Sequence, residues 1–212
     1  ECPSDPSIPG FGTLQELHEA MQTDFSLVRD GVAVPPFQYL LCPGVKYFPA
    51  KEGRWIEPVA DGTEILCGLE GRSEDMCVVE GADLHVAFIA SEYPEYPRRH
   101  TKLQGITFTG STGWSVAAYD SKETTAEFVD CHWKNITGQT AIQIVEKDRP
   151  IMSSNQTVAR SQTATEELTY LPGMTVKLKG CSFENVWGGE DDFFFVVSNA
   201  DGILTMENVQ FK

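Results

Sequence analysis

Apolar and polar residues follow the same order in four segments of the chain, at residues 103–108, 128–133, 178–183 and 206–211. The fourth position of each segment is apolar: Ile106, Cys131, Cys181 and Val209. The sixth position is aromatic: Phe108, Trp133, Phe183 and Phe211. The position between them is polar: Thr107, His132, Ser182 and Gln210. Because residues two apart in a strand point to the same face, the pattern predicts equivalent strands with an apolar inner face and a polar outer face.

The spacing of these segments predicts stacked repeats. The fourth position recurs after 25, 50 and 28 residues, and periods of about 20–45 residues are typical of stacked repeats. Further strand candidates lie upstream, at residues 37–44, 63–68 and 84–89. Several short strands in each repeat predict an all-β fold, a parallel β-helix solenoid, with residues 1–212 as one domain. The 50-residue interval is interpreted as one coil that carries a long loop at residues 146–173.

The amino-terminal residues predict one helix. Thr13 followed by Glu16 forms a capping-box pattern, and Leu14, Leu17 and Met21 lie on one helical face. The helix is predicted from Thr13 to about Met21, within an amino-terminal arm and cap at residues 1–25. An amphipathic helix laid across the first coil would protect the unpaired strand edges there.

Composition and charge restrict the partners. The chain has 212 residues, with 16 Lys and Arg against 31 Asp and Glu, a net charge of −15. A phosphate backbone would be repelled by most of such a surface, so nucleic acid is excluded as a partner. No apolar run approaches the roughly 20 residues of a membrane-spanning helix, so a membrane is expected only through a segment outside this chain.

Cysteines and sequons favour the secretory pathway. Six cysteines without metal-site spacing predict three disulfides. Asn135 and Asn155 each begin an Asn-X-Thr sequon and are the predicted glycosylation sites. Together these features predict a secreted, cell-surface or lumenal protein.

The predicted coil register suggests which cysteines pair. Adjacent coils lie about 4.8 Å apart, within the Cα separations that disulfides accept. Cys131 and Cys181 would then be stacked neighbours and bond. The remaining predicted bonds are Cys67 with Cys77, closing a short loop, and Cys2 with Cys42, tethering the amino-terminal segment.

Several motifs resemble a known superfamily. A Thr-Leu-Gln-Glu-Leu helix start, the Cys-Pro-Gly-Val-Lys-Tyr and Ile-Leu-Cys-Gly-Leu-Glu-Gly segments, and repeats that end in Gly-Ile-Thr-Phe or Gly-Cys-Ser-Phe resemble the pectate-lyase-like superfamily. The chain looks like the Cys-containing β-helix domains of secreted or membrane-anchored surface proteins of microalgae such as diatoms. The resemblance implies a right-handed parallel β-helix. The Gly-His-Gly and Arg-Ile-Lys segments of the family's hydrolases are missing from the sequence, so no catalytic residue is predicted.

One acidic turn is a candidate metal site. Glu190, Asp191 and Asp192 follow a Trp-Gly-Gly segment and precede three Phe. Ca²⁺ takes about 6–8 oxygen ligands, so carboxylates from other coils would have to converge on the same ion. The alternative is a solvated acidic turn without an ion. Calcium is the one cofactor that the sequence suggests.

A local basic segment is a candidate glycan site. Tyr93, Tyr96, Arg98 and Arg99 lie together in an otherwise acidic chain. Tyr rings stack on sugars and Arg side chains grip carboxylate or sulfate, which suits an anionic glycan. The alternative is a Pro-stiffened loop whose Arg side chains pair with nearby acids. His132 is expected to be exposed and non-catalytic, between Thr107 and Ser182 of neighbouring coils.

Three functions remain open from the sequence. The first is a non-catalytic structural or interaction module of a cell surface, matrix or mineralised, silica-type wall, with pH- or polycation-dependent self-assembly. Its partners would be extracellular glycans, polycations or like domains. The second is a polysaccharide lyase or hydrolase acting on acidic glycans. The third is a receptor ectodomain for a small ligand or metal.

Overall fold

The fold is given by a computed structural model. It describes residue 2 and residues 9–32, 36–89, 100–119, 124–138, 140–144, 174–186, 196–198 and 202–212. The predicted loop at residues 146–173 lies outside these described residues. The described residues contain two α-helices, α1 at Leu14–Arg29 and α2 at Pro49–Glu52, and a 3₁₀ helix at Ser73–Asp75.

The strands are short and follow one another along most of the chain. In order they are β1 (Gly10–Phe11), β2 (Phe37–Leu41), β3 (Lys46–Tyr47), β4 (Thr63–Cys67), β5 (Cys77–Glu80), β6 (Leu84–Ile89), β7 (His100–Gln104), β8 (Ile106–Thr109), β9 (Trp114–Tyr119), β10 (Thr125–Val129), β11 (His132–Ile136), β12 (Thr140–Ile144), β13 (Thr175–Lys179), β14 (Ser182–Val186), β15 (Val196–Ser198), β16 (Ile203–Glu207) and β17 (Gln210–Phe211).

These strands form three parallel sheets. The first sheet has the order β1-β2-β4-β7-β10-β13-β16, the second β17-β14-β11-β8-β5-β3 and the third β15-β12-β9-β6. From β7 onward the chain visits the first, second and third sheets in turn, and one such passage is called a circuit below. The chain is therefore rich in β-structure with parallel sheets, as the sequence predicts. Because β10 pairs directly with β13, the 50-residue interval between Cys131 and Cys181 spans one circuit.

The bend from the first sheet to the second uses left-handed backbone. Among the described residues, six with positive φ lie one or two positions before a strand of the second sheet: Gly44, Met76, Gly105, Asp130, Gly180 and Asn208. At Gly105 a side chain is also excluded by space, because a Cβ there would collide with the backbone of Gly71. From β7 onward, a single left-handed residue thus lies at each bend from the first sheet to the second.

The predicted inner column of aromatic residues is confirmed. Ring centroids are 5.3 Å apart between Phe108 and Trp133, 4.8 Å between Trp133 and Phe183, and 5.4 Å between Phe183 and Phe211. Phe108, Trp133 and Phe183 are buried. In-register parallel pairing causes this stack, because it places equivalent side chains of successive circuits side by side.

Helix α1 begins where the sequence predicts and ends later. Thr13 is the N-cap, and its hydroxyl and the Glu16 carboxylate form the reciprocal capping box. The predicted end at Met21 is wrong, because the helix continues to Arg29. Phe25 extends the buried face by another turn, and Asp24 accepts a hydrogen bond from the Tyr39 hydroxyl at 2.8 Å. These contacts hold the additional helical residues against the core.

Candidate functional site

Two of the three predicted disulfides are present. Cys2 bonds to Cys42 and Cys67 bonds to Cys77, with Cα–Cα distances of 4.5 Å and 5.6 Å. Both bonds lie in the amino-terminal part of the chain. They fix its first strands, where the predicted repeat pattern is weakest.

The predicted bond between Cys131 and Cys181 does not form. Both are buried free thiols, although they are stacked neighbours as predicted. Cys131 Sγ donates to the carbonyl of Leu103 at 3.5 Å, and Cys181 Sγ donates to the carbonyl of Phe128 at 3.3 Å. Since Leu103 and Phe128 are paired residues of neighbouring strands, both sulfurs point toward the preceding circuit. The Cys131 sulfur therefore points away from Cys181.

Burial also makes these thiols unreactive. It raises the pKa of the Cys181 thiol to about 11 and that of the Cys131 thiol well above its usual value. The thiolate is the reactive form. Both cysteines therefore remain protonated at neutral pH.

We expect iodoacetamide at pH 8 to modify neither thiol in the folded protein and both thiols after denaturation without reductant. Burial denies access and keeps the thiolate population low, whereas unfolding removes both effects. Mass spectrometry of the intact chain and of its peptides measures the number and position of the modifications. A denatured chain that still takes up no reagent at Cys131 and Cys181 would mean that they are bonded to each other.

The first predicted glycosylation site lies on the surface. Asn135 is exposed and has a φ of 52° near the end of strand β11. Its side-chain oxygen accepts a hydrogen bond of 3.4 Å from the Asn185 amide of the next circuit. The side-chain amide of Asn135 therefore lies at an exposed bend. The second site, Asn155, lies outside the described residues.

Two predicted sites fall outside the described part of the chain. These are the calcium site at Glu190, Asp191 and Asp192, and the glycan site at Tyr93, Tyr96, Arg98 and Arg99. Within the described residues, no group of three or more His, Cys, Asp or Glu side chains is arranged to hold a metal ion. Both sites stay predictions.

His132 has the neighbours that the sequence predicts. It pairs with Thr107 on one side and Ser182 on the other, and its Nδ1 lies 2.7 Å from the Ser182 hydroxyl oxygen. Burial lowers the pKa of His132, and the cation of Lys134 lowers it further. The expected exposure of His132 is wrong, because the imidazole is half-buried, and its lowered pKa makes it less basic than a free histidine.

The outer face of the first sheet carries alternating charges. One position recurs in register across β4, β7, β10 and β13 and holds, in that order, Glu64, Lys102, Glu127 and Lys177. Neighbouring opposite charges attract, whereas like charges at adjacent positions would repel. This order of charges favours the observed register of the strands.

The last circuit exposes apolar residues whose counterparts in the preceding circuit are buried. Phe211 belongs to the predicted aromatic column and Met206 pairs with buried Leu178, but Met206 is 50% exposed and Phe211 52% exposed. In the described part of the chain, β16 and β17 end their sheets, so no further strand covers these side chains. At the other end, α1 buries Leu14, Leu17 and Met21 in the same core. The sequence could have indicated this exposure, because both residues belong to the last of the four repeated segments.

Comparison with protein-family models, with curated proteins and with solved structures found no match to this chain. Among the described residues, no helix has the length and apolar character needed to span a membrane.

Proposed function

We propose that the chain is a right-handed parallel β-helix with α1 as its amino-terminal cap, and that it is a non-catalytic interaction module of a secreted or surface-bound matrix or mineralised wall. The regular circuit through three parallel sheets supports the β-helix. The two disulfides support an oxidising, extracellular environment.

The observation that carries the proposal is the difference between the two ends. Helix α1 packs Leu14, Leu17, Met21 and Phe25 against the first strands. The last circuit instead presents Ile203, Met206 and Phe211, each at least half exposed. A strand edge with exposed apolar side chains is a surface for pairing with another protein. In the described part of the chain, α1 thus covers the first strands, and the exposed apolar side chains of the last strands support association with a further strand.

The net charge supplies control over this association. At a charge of −15, mutual repulsion keeps molecules apart near neutral pH. Polycations or mild acid neutralise the carboxylates and reduce the repulsion. The module would thus assemble where long-chain polyamines or low pH are present.

We expect light scattering to show larger particles when spermine is added at pH 7.5, or when the pH is lowered from 8 to 5. Spermine binds and neutralises carboxylates at constant pH, and added NaCl should reverse its effect by screening. A monovalent amine at equal ionic strength is the control. Circular dichroism at each condition reports whether the fold is intact.

A constant particle size under both treatments, with the circular dichroism spectrum unchanged, would contradict the assembly function. Particles that form only as the spectrum changes would indicate aggregation of unfolded chains instead. Release of unsaturated or reducing sugar from an acidic glycan would favour the lyase or hydrolase alternative.

A further inference from the structure

The bend between β4 and β5 carries an insertion. Strand β4 ends at Cys67 and β5 begins at Cys77, so residues 68–76, called the insertion loop below, lie between them. From β7 onward one or two residues suffice at this bend, and Gly105 alone separates β7 from β8. In stacked repeats, insertions form loops on one face, which is often the binding face.

The insertion loop is tied to the rest of the fold at both ends. A disulfide between the two flanking cysteines closes it. At its start, the Gly68 N–H donates to the Leu41 carbonyl at 2.9 Å. Near its end, the Asp75 carbonyl accepts from the Gly44 N–H at 2.7 Å. The loop is therefore preorganised, and a partner that binds it has little conformational freedom to remove.

One residue of the insertion loop has a costly backbone conformation. Met76 has a φ of 54°, in the left-handed region. The residues with positive φ at the later bends are Gly105, Asp130, Gly180 and Asn208, which are types that adopt this region more readily than methionine. The Met76 side chain is 64% exposed, so packing in the core does not offset the cost. Backbone strain of this kind is concentrated at functional sites.

A second exposed apolar residue lies near Met76. Leu69 is 55% exposed. The disulfide holds the ends of the insertion loop together, with the Cα atoms of Cys67 and Cys77 5.6 Å apart. Leu69 and Met76 each lie within two residues of this bond. Large apolar side chains exposed together on a preorganised loop indicate a contact surface for another molecule.

The charges of the insertion loop indicate the chemistry of that molecule. The loop holds one base, Arg72, and three acidic residues, Glu70, Glu74 and Asp75. The Arg72 guanidinium is ion-paired with the Glu70 carboxylate. A surface that combines Lys or Arg with apolar side chains complements the loop in both respects. A second copy of this chain fits less well, because its net charge of −15 repels the acidic loop.

We propose that the insertion loop binds a basic amphipathic peptide segment of another protein. Leu69 and Met76 contact the apolar face of that segment, and the carboxylates of the loop lie beside its cations. The unbranched thioether side chain of Met76 adapts to apolar surfaces of different shape. This inference goes beyond the proposed function, since it names a different kind of partner and does not depend on the association of like molecules.

The first experiment tests whether Met76 is accessible in the full chain. Hydrogen peroxide oxidises the thioether of an exposed methionine to the sulfoxide and is itself reduced to water. Met76 should be oxidised at least about tenfold faster than Met21 and Met174, which are 1% and 0% exposed. Mass spectrometry of peptides measures the three rates. Oxidation of Met76 as slow as that of the buried methionines overturns the inference, because the chain itself would then cover the loop.

The second experiment measures binding by fluorescence anisotropy at pH 7.5. The probe is a fluorescein-labelled synthetic peptide with Leu and Lys on opposite faces of a helix. Met76→Gly should weaken its binding by about tenfold or more. The urea midpoint of this variant should stay equal or rise, because glycine adopts a positive φ at little cost. Met206→Ala is the matched control and should keep full affinity, since Met206 is 50% exposed outside the loop.

The outcomes separate this inference from the proposed function. Equal affinity of Met76→Gly and the unsubstituted chain overturns the inference, as does an equal loss in Met206→Ala. A lower urea midpoint for Met76→Gly also overturns it, because Met76 would then serve the fold. Equal binding of a control peptide with Glu in place of Lys contradicts the stated partner. If no peptide binds but spermine assembles the chain, the proposed function stands and the inference about the loop alone is wrong.

Discussion

Trp133→Ala is expected to lower the free energy of unfolding by about 3–5 kcal/mol, the usual cost of removing a large buried aromatic side chain. Trp133 is 0% exposed. Its ring stacks between Phe108 and Phe183 and meets Phe128 edge-on at 5.4 Å. The loss of this ring would leave a cavity in the middle of the aromatic column, where both neighbouring circuits contact it.

Two other substitutions distinguish the stacking of Trp133 from general apolar burial. Trp133→Phe should cost much less, because it keeps a ring in the column and removes an indole N–H that has no acceptor among the described residues. Trp55→Ala is the surface control, since Trp55 is 37% exposed. Urea unfolding followed by circular dichroism measures all three. Equal losses for Trp133→Ala and Trp55→Ala would show that the column does not stabilise the fold as described.

Lowering the pH from 6.5 to 4 is expected to remove about 3 kcal/mol of stability through His85 alone. This side chain is completely buried. Its Nε2 lies 2.7 Å from the Gly81 carbonyl and its Nδ1 lies 2.8 Å from the Ser115 hydroxyl oxygen. A carbonyl can only accept, so Nε2 carries the proton, and neutral Nδ1 accepts from Ser115. Burial of this neutral ring lowers the pKa of His85 from 6.5 to about 4.

The direction of this change in stability follows from which state, folded or unfolded, takes up the proton. Above pH 6.5 His85 is neutral in the folded and the unfolded state, so its full contribution to the free energy of unfolding is present. Between pH 6.5 and 4 the unfolded chain binds a proton that the folded chain does not, which stabilises the unfolded state. Burial also lowers the pKa values of His18 and His132, which adds losses in the same direction.

Urea unfolding at several pH values measures this loss. His85→Gln should be less stable at pH 7 but should lose less stability between pH 6.5 and 4 than the unsubstituted chain. His100→Gln is the surface control, because the His100 side chain is 46% exposed. A parallel pH dependence for the chain and for His85→Gln would mean that His85 does not titrate in this way. Because acid also lowers the stability of the fold through His85, spermine at constant pH tests assembly more selectively than acid does.

Local patterns in the sequence were sufficient to predict the repeated features of the fold. The strand candidates at residues 37–44, 63–68 and 84–89 contain β2, β4 and β6. Each is a short run rich in apolar, aromatic or β-branched residues. The inner column could be predicted because parallel pairing in register places equivalent positions of successive circuits side by side. The start of α1 followed from Thr13 and Glu16, three residues apart.

The remaining features depend on which groups pack against each residue from distant parts of the chain. The hydrogen bond to the Leu103 carbonyl of the preceding circuit sets the direction of the Cys131 side chain. The stacking of Cys131 on Cys181 was therefore not enough to predict that Cys131 is a free thiol. His85 lies in a strand recognisable from sequence, but its burial and lowered pKa arise from Ser115 and Phe108. Met206 pairs with buried Leu178 but is exposed, because β16 is the last strand of its sheet among the described residues. Alternation fixes which face of a strand is apolar, whereas the neighbouring circuits decide whether that face is covered.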